Sequence, residues 1–160
     1  MSAGFSFARE PAATADLALL FQRHHDFCHA DTPPESIHMM DRAALDAAGV
    51  ALFVLRENGV PLAMGAIKPL GAAHGEIGHG EIKSMHVLDE ARGRGLARLM
   101  VDRLVAEGRA MGLSRLSLET GAQPSFAAAR ALYLAAGFAE TGPFGDYRPD
   151  PMSVFMSRAV

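Results

Sequence analysis

A chain of 160 residues, 49% hydrophobic and 21% charged, has enough material for one domain with a real core and is too apolar to be disordered. Its formal net charge of −3 excludes the broad basic field of a DNA- or RNA-binding protein. Cys28 is the sole cysteine, so an intrachain disulfide is excluded and a reducing compartment fits. The N-terminus has no basic region followed by an apolar run, and no apolar run approaches the roughly 18 residues of a membrane span. A cytoplasmic protein without membrane contact is the expectation.

In chain order, Phe5 to Arg9 alternates apolar and polar residues as a short strand does. Pro11 suits a helix start, and Leu17, Leu20, Phe21 and Phe27 mark a helix from Ala12 to about Phe27. Asp31-Thr32-Pro33-Pro34 breaks it. A second helix is expected from about Glu35 to Ala48, ended by Gly49. Val50 to Arg56 is a buried strand by composition. Asn58-Gly59 calls for a type I′ hairpin turn into a strand from about Pro61 to Lys68. Gly71 to Gly80 is a glycine-rich loop, and Glu81 to Val87 a fourth strand.

That strand runs through Arg92-Gly93-Arg94-Gly95 into an amphipathic helix with an apolar stripe of Leu96, Leu99, Met100, Leu104 and Met111. A strand, a glycine-rich turn and a helix N-terminus in this order form a place to hold phosphate. Gly112 ends the helix. Leu113 to Thr120 is a strand, Phe126 to Ala136 a helix stopped by Gly137, and Phe138 to Gly142 and Ser153 to Ser157 a last pair of strands around a Gly/Pro/Asp-rich loop. The order β-α-α-β-β-β-α-β-α-β-β makes a mixed sheet flanked by helices, a single domain over 1–160.

The order of elements and the residues at their joints resemble the GNAT superfamily of acyl-CoA-dependent N-acyltransferases. Two blocks carry the resemblance. Arg92-Gly93-Arg94-Gly95-Leu96-Ala97 matches the family's Gln/Arg-x-x-Gly-x-Gly/Ala, and Ala131 to Phe138 matches its x-Leu-Tyr-x-x-x-Gly-Phe. The resemblance implies an α/β (α+β) fold whose mostly antiparallel sheet of about seven strands splays between strands four and five. It also implies acetyl-CoA as cosubstrate, a small-molecule or peptide amine as acceptor, and the homodimer common in the family.

It further implies the site residues. Backbone N–H groups around Arg92, Gly93, Arg94, Gly95, Leu96, Ala97 and Arg98 would hold the pyrophosphate. Met85, His86 and Val87 would offer the strand-four backbone to the pantetheine and to the thioester oxygen. Tyr133 would be the general acid at the departing sulfur. Many members place Asn about seven residues before that tyrosine. Here Phe126 stands there, and Ser125 is the substitute contact.

Direct transfer needs a neutral amine. At a reference pKa near 10.4 only about one lysine-like amine in 2500 is neutral at pH 7, a deficit of about 4.6 kcal/mol. A base must cover it, and Glu81 is the candidate. Family members carry a base glutamate at the matching place, and strand alternation puts Glu81, Lys83, Met85 and Val87 on one face. Lys83 would lower the pKa of Glu81 unless burial opposes it.

Two other readings remain on the sequence. A non-catalytic acyl-CoA-binding module would bind acetyl-CoA yet release no CoA with any amine. A metal-dependent hydrolase would use His74, Glu76, His79 and Glu81, but no cysteine or fixed ligand spacing supports the cluster, and no metal is expected. His24, His25 and His29 read as surface or acceptor-cleft residues, Met39 and Met40 as packing. Asp146, Tyr147 and Arg148 form either an ordinary hairpin loop or a closure over the acceptor.

Overall fold

The computed structural model describes residues 4–71 and 76–160, with Glu76 described in its backbone alone. Seven strands form one sheet in the order β1-β2-β3-β4-β5-β7-β6. They are β1 (Phe5–Arg9), β2 (Ala51–Glu57), β3 (Val60–Gly71), β4 (Glu76–Val87), β5 (Arg115–Gly121), β6 (Ala139–Thr141) and β7 (Ser153–Ala159). Three helices, α1 (Ala18–Ala30), α2 (Leu96–Ala110) and α3 (Ala127–Ala135), flank it. Every described strand pair is antiparallel except β4 with β5.

Local sequence explains most of this. Asn58 and Gly59 both take positive φ, 49° and 84°, as a type I′ turn demands. The α2 stripe buries Leu96, Met100 and Leu104. Glycine closes α2 and α3 at Gly112 and Gly137, both left-handed. Two clusters fill the faces of the sheet. Leu17, Leu20, Leu45, Leu52, Val54, Met64 and Ala66 pack on one side. Phe53, Ile67, Ile82, Leu104, Leu116, Leu118 and Met156 pack on the other.

Four expectations are corrected. No helix forms from Glu35 to Ala48; one-turn 3₁₀ segments stand at Pro34–Ser36 and Ala43–Asp46. Polar tertiary contacts displace it. Arg42 donates to the carbonyls of Ala12 and Thr14 at 2.6 and 2.8 Å, and Asp46 accepts from the N–H groups of Ala12 and Ala13. Ile37 is extended, and the Lys83 ammonium takes the His38 carbonyl at 3.0 Å.

Second, the first helix begins later and ends later than expected, as a 3₁₀ turn Ala15–Leu17 leading into α1. Third, the glycine-rich stretch before Glu81 is largely strand. Pro69 pairs Gly80 and Gly71 pairs Glu76. A Cβ on Gly80 would stand 2.6 Å from Leu113 Cδ1, so glycine there allows close packing rather than a loop. Glu81 is therefore mid-strand, with β3 on one side and β5 on the other.

Fourth, alternation along β4 is interrupted. Ala66 faces Lys83 but Met64 faces His86, so the register shifts by one residue. Ser84 sits in the shift with φ 55°, a β-bulge. Partners across a ladder share a face, so Glu81, Lys83 and His86 project together, while Met85 and Val87 turn to the opposite side.

Candidate active site

The parallel pairing of β4 with β5 is short: His79, Gly80 and Glu81 pair Arg115, Leu116 and Ser117. Beyond it the strands part. Ile82 to Val87 keep β3 on one edge, and Leu118 to Gly121 keep β7 on theirs. Their facing edges line a cavity of about 470 Å³. Buried backbone N–H and C=O groups need partners, so this gap fits an extended amide-bearing ligand laid between the strands. The Ser84 hydroxyl is buried there without a hydrogen-bond partner among the described residues.

One end of the cavity is the N-terminus of α2. Gly93 and Gly95 take φ of 78° and 76°, which non-glycine residues rarely adopt. Gly95 is the N-cap, and among the described residues no side chain caps the helix. The N–H groups of the first turn are thus available to an anion, and the helix dipole favours one. Arg92, Gly93, Gly95, Leu96, Ala97 and Arg98 line the cavity.

The arginines do not all point there. Arg94 forms a two-point ion pair with Glu57, at 2.9 and 2.7 Å, and lies over the Phe5 ring. Glu57 is held below its usual pKa, first by that hydrogen bond. Arg94 therefore contributes its backbone to the turn, not its guanidinium to the cavity. Arg92 pairs Asp89 at 3.2 Å and Arg98 pairs Asp102 at 2.9 Å, both half-exposed. Ser125 lines the cavity and donates to Asp31 at 3.0 Å. Phe126 packs edge-on against Phe27, centroids 5.0 Å apart.

Tyr133 on α3 faces the cavity from the other side of the sheet gap and is 6% exposed. Its hydroxyl makes no hydrogen bond to a described residue. Burial above all pushes its pKa up, helped by the charge of Glu119, so the phenol keeps its proton. His86 turns against α1, with His24 at 5.4 Å and Phe27 at 6.2 Å between ring centroids. Burial pulls both His24 and His86 down to about 4, so both rings are neutral at pH 7. Cys28 touches His24, and burial raises its thiol to about 11, which leaves it inert.

Glu81 stands at a junction. It lines the first cavity and a second of about 510 Å³, together with His38, Met39, Lys83 and Tyr147. Glu35, Lys68, Asp146, Arg148 and Asp150 are the other charged residues that line the second. Glu81 Oε2 accepts from the Tyr147 hydroxyl at 2.5 Å and from Lys83 Nζ at 3.2 Å. Lys83 also donates to the Tyr147 oxygen at 2.9 Å. Burial, then the charge of Glu81, raises the Tyr147 pKa. The ring is wedged among His38, Phe144 and Phe155. The late loop thus closes on the sheet through Tyr147.

Glu119 on β5 is the site residue that sequence reasoning missed. Alternation from Ser117, the partner of Glu81, puts it on the face of Glu81 and Lys83. It lines the first cavity, and burial raises its pKa. Leu116-Ser117-Leu118-Glu119-Thr120 is an ordinary alternating strand, so its pattern gave no signal. His79 meets Ser117 at 2.5 Å. His74 lies outside the described residues, as does the Glu76 side chain, and among those described no group of three or more His, Cys, Asp or Glu could hold a metal. No described helix is long and apolar enough to cross a membrane.

These features coincide with what comparison with known proteins finds. The family model for the acetyltransferase (GNAT) family matches residues 15–138. The chain is 43% identical over 129 residues to an IAA acetyltransferase of Azospirillum brasilense, covering 80% of each. It is 38% identical over 129 residues to the uncharacterized N-acetyltransferase YsnE of Bacillus subtilis, covering 81% of this chain and 82% of that one. Among solved structures, an acetyltransferase from Streptococcus agalactiae superposes with a TM-score of 0.73 at 17% identity, covering 99% and 100% of the two chains. The Salmonella typhimurium protein yncA, solved with its cofactor acetyl-CoA, superposes with a TM-score of 0.71 at 20% identity, covering 98% and 94%. With its splayed sheet, uncapped helix N-terminus and matching motifs, the chain belongs to the GNAT family of acetyltransferases.

Proposed function

We propose that the protein transfers an acetyl group from acetyl-CoA to a primary amine by direct attack within a ternary complex. The observation that carries this reading is one continuous cavity wall that joins three parts. They are the uncapped start of α2, the unpaired facing edges of β4 and β5, and the charged cluster of Glu81, Lys83 and Tyr147.

The residues fit acetyl-CoA in order. The N–H groups from Arg94 to Arg98 would hold the pyrophosphate. The backbone of Met85, His86 and Val87 would hold the pantetheine amides as a neighbouring strand does. Bound there, acetyl-CoA supplies an activated thioester carbonyl. A strand N–H near the Ser84 bulge would stabilise charge on that oxygen. Tyr133, kept protonated by burial, would donate to the sulfur. The acceptor enters from the cavity behind Glu81 and Tyr147, and a cleft carboxylate takes the proton its ammonium must lose.

The test has two parts. Acetyl-CoA should raise the unfolding temperature in a concentration-dependent way. A screen of amines with acetyl-CoA should then release free thiol for at least one acceptor class. Stabilisation without thiol release from any amine would favour an acyl-CoA-binding module instead.

A further inference from the structure

Two carboxylates, Glu81 and Glu119, face the cleft, and their surroundings differ. Glu81 is 4% exposed and its Oε2 is occupied by two donors, the Tyr147 hydroxyl and the Lys83 ammonium. Both donors hold that oxygen, so they would have to give way before it could meet a substrate ammonium. An ammonium substrate would also have to displace a buried lysine. Glu119 has no ion pair and no hydrogen bond to a described residue. Ser153 on β7 favours its charged form from nearby, but the Ser153 hydroxyl does not reach hydrogen-bonding geometry.

Position separates them too. β4 and β5 are still paired at Glu81 with Ser117 and have parted at the next residues. Glu119 is two residues beyond Ser117, across the gap from Lys83 and the Ser84 bulge. The thioester would lie in that gap.

We propose that Glu119 is the group that accepts the proton of the acceptor ammonium, and that Glu81 is a positioning residue whose pairing with Lys83 and Tyr147 shapes the acceptor entrance. The inference rests on the acetyltransferase reading. The step is a single proton transfer. An N–H bond of the ammonium breaks, its electron pair stays on nitrogen, and the proton goes to a Glu119 carboxylate oxygen. The neutral amine is then the nucleophile, and Glu119 returns the proton to solvent before the next turnover.

The groups facing Glu119 are Glu81 and Lys83 on β4 and His38 from the segment before β2, with Ser153 on β7. Tyr133 on α3 and Cys28 on α1 also feel its charge. Burial is the largest influence, and it holds the carboxyl above the ordinary value, nearer the pH at which a base works best.

The experiment compares wild type, Glu119→Gln, Glu119→Asp and Glu81→Gln. The acceptor is the fastest amine found in a panel of polyamines, amino acids and arylalkylamines. Glu119→Gln should keep its acetyl-CoA affinity, lose about 10²-fold in kcat/KM at pH 7, and lose the acidic limb of the pH–rate profile. Its deficit should shrink above pH 9, where the amine neutralises itself. Glu119→Asp should keep the limb with reduced rate.

Glu81→Gln should raise the acceptor KM and keep the limb. Carboxyl carbon NMR of the unliganded protein should show one glutamate titrating above the usual range, absent in Glu119→Gln. An unchanged limb in Glu119→Gln, or its loss in Glu81→Gln instead, would overturn the assignment. If Glu119→Gln does not fold, a wild-type NMR titration without a raised glutamate, or an Asp variant without the limb, overturns it equally. Wild type that releases no CoA with any amine would refute the acetyltransferase reading itself.

Discussion

Tyr133 shows what a residue gains from its surroundings. A free tyrosine has a pKa near 10; buried on α3 and facing the charge of Glu119, this one is held above that. It remains a donor across the working range of an enzyme. Tyr133→Phe should lower kcat by roughly 10²-fold while the acetyl-CoA Kd stays within about twofold, measured by steady-state kinetics and calorimetry. Unchanged turnover would remove Tyr133 from the reaction. Gly95 makes the complementary case at the start of α2, where we propose the pyrophosphate binds. It is left-handed at φ 76°, and a Cβ there meets nothing within 4 Å. Gly95→Glu adds backbone strain of order 1–3 kcal/mol and a negative charge where the helix dipole attracts an anion. Acetyl-CoA should then no longer shift the unfolding temperature, although circular dichroism stays native.

At the scale of elements, the late loop between β6 and β7 is tied to β4 by Tyr147. Its hydroxyl sits between Glu81 and Lys83, and its ring packs on Phe144 and Phe155. Tyr147→Phe keeps the packing and removes the tie. The Lys83–Glu81 pair would persist, so the fold should lose only about 1–2 kcal/mol. The acceptor KM should rise several-fold with acetyl-CoA affinity intact, because the change lies at the junction of the two cavities rather than along α2. An unaltered KM would return the loop to a purely structural role. α2 itself was readable from its stripe, its glycine entry and its glycine exit. β4 was only half readable, because its first residues, Glu76 to Gly80, include two glycines and look like a loop until β3 pairs with them.

For the whole molecule, the paired imidazoles of His24 and His86 couple folding to pH. Burial first, and neighbouring positive charge second, lowers both to about 4, against 6.5 in an unfolded chain. Between those values the unfolded state binds more protons than the folded one, so stability falls as pH falls. The full loss is on the order of several kcal/mol for the two together. Asp16, Glu57 and Asp150 are held below the usual carboxylate value and lose their contribution at lower pH. Glu119, held above it, gains a proton more readily when folded and opposes the trend. Thermal denaturation from pH 7 to 4 should show a fall in unfolding temperature that His24→Leu flattens. An identical slope in that variant would place the dependence elsewhere.

The sequence by itself determined the parts whose physics is local. Asn58-Gly59 dictates its turn because few residues tolerate two successive positive φ values. Arg92 to Ala97 and the Tyr133 to Phe138 block declare a helix entered through glycines and a helix stopped by one. Together they were enough to expect the family and the splayed sheet. The tertiary structure decided what depends on neighbours distant in the chain. The Ser84 bulge exists because β3 and β4 pair out of step, and it reverses which side chains accompany Glu81. The Glu35 to Ala48 helix is absent because Arg42 and Asp46 bind the backbone of Ala12 to Thr14 instead of leaving a helix to its own hydrogen bonds. Arg94 is turned away from the cavity by Glu57. Glu119 reads as one polar residue in an alternating strand, and becomes a candidate only where β5 parts from β4 and leaves it facing the gap with no ion pair to a described residue.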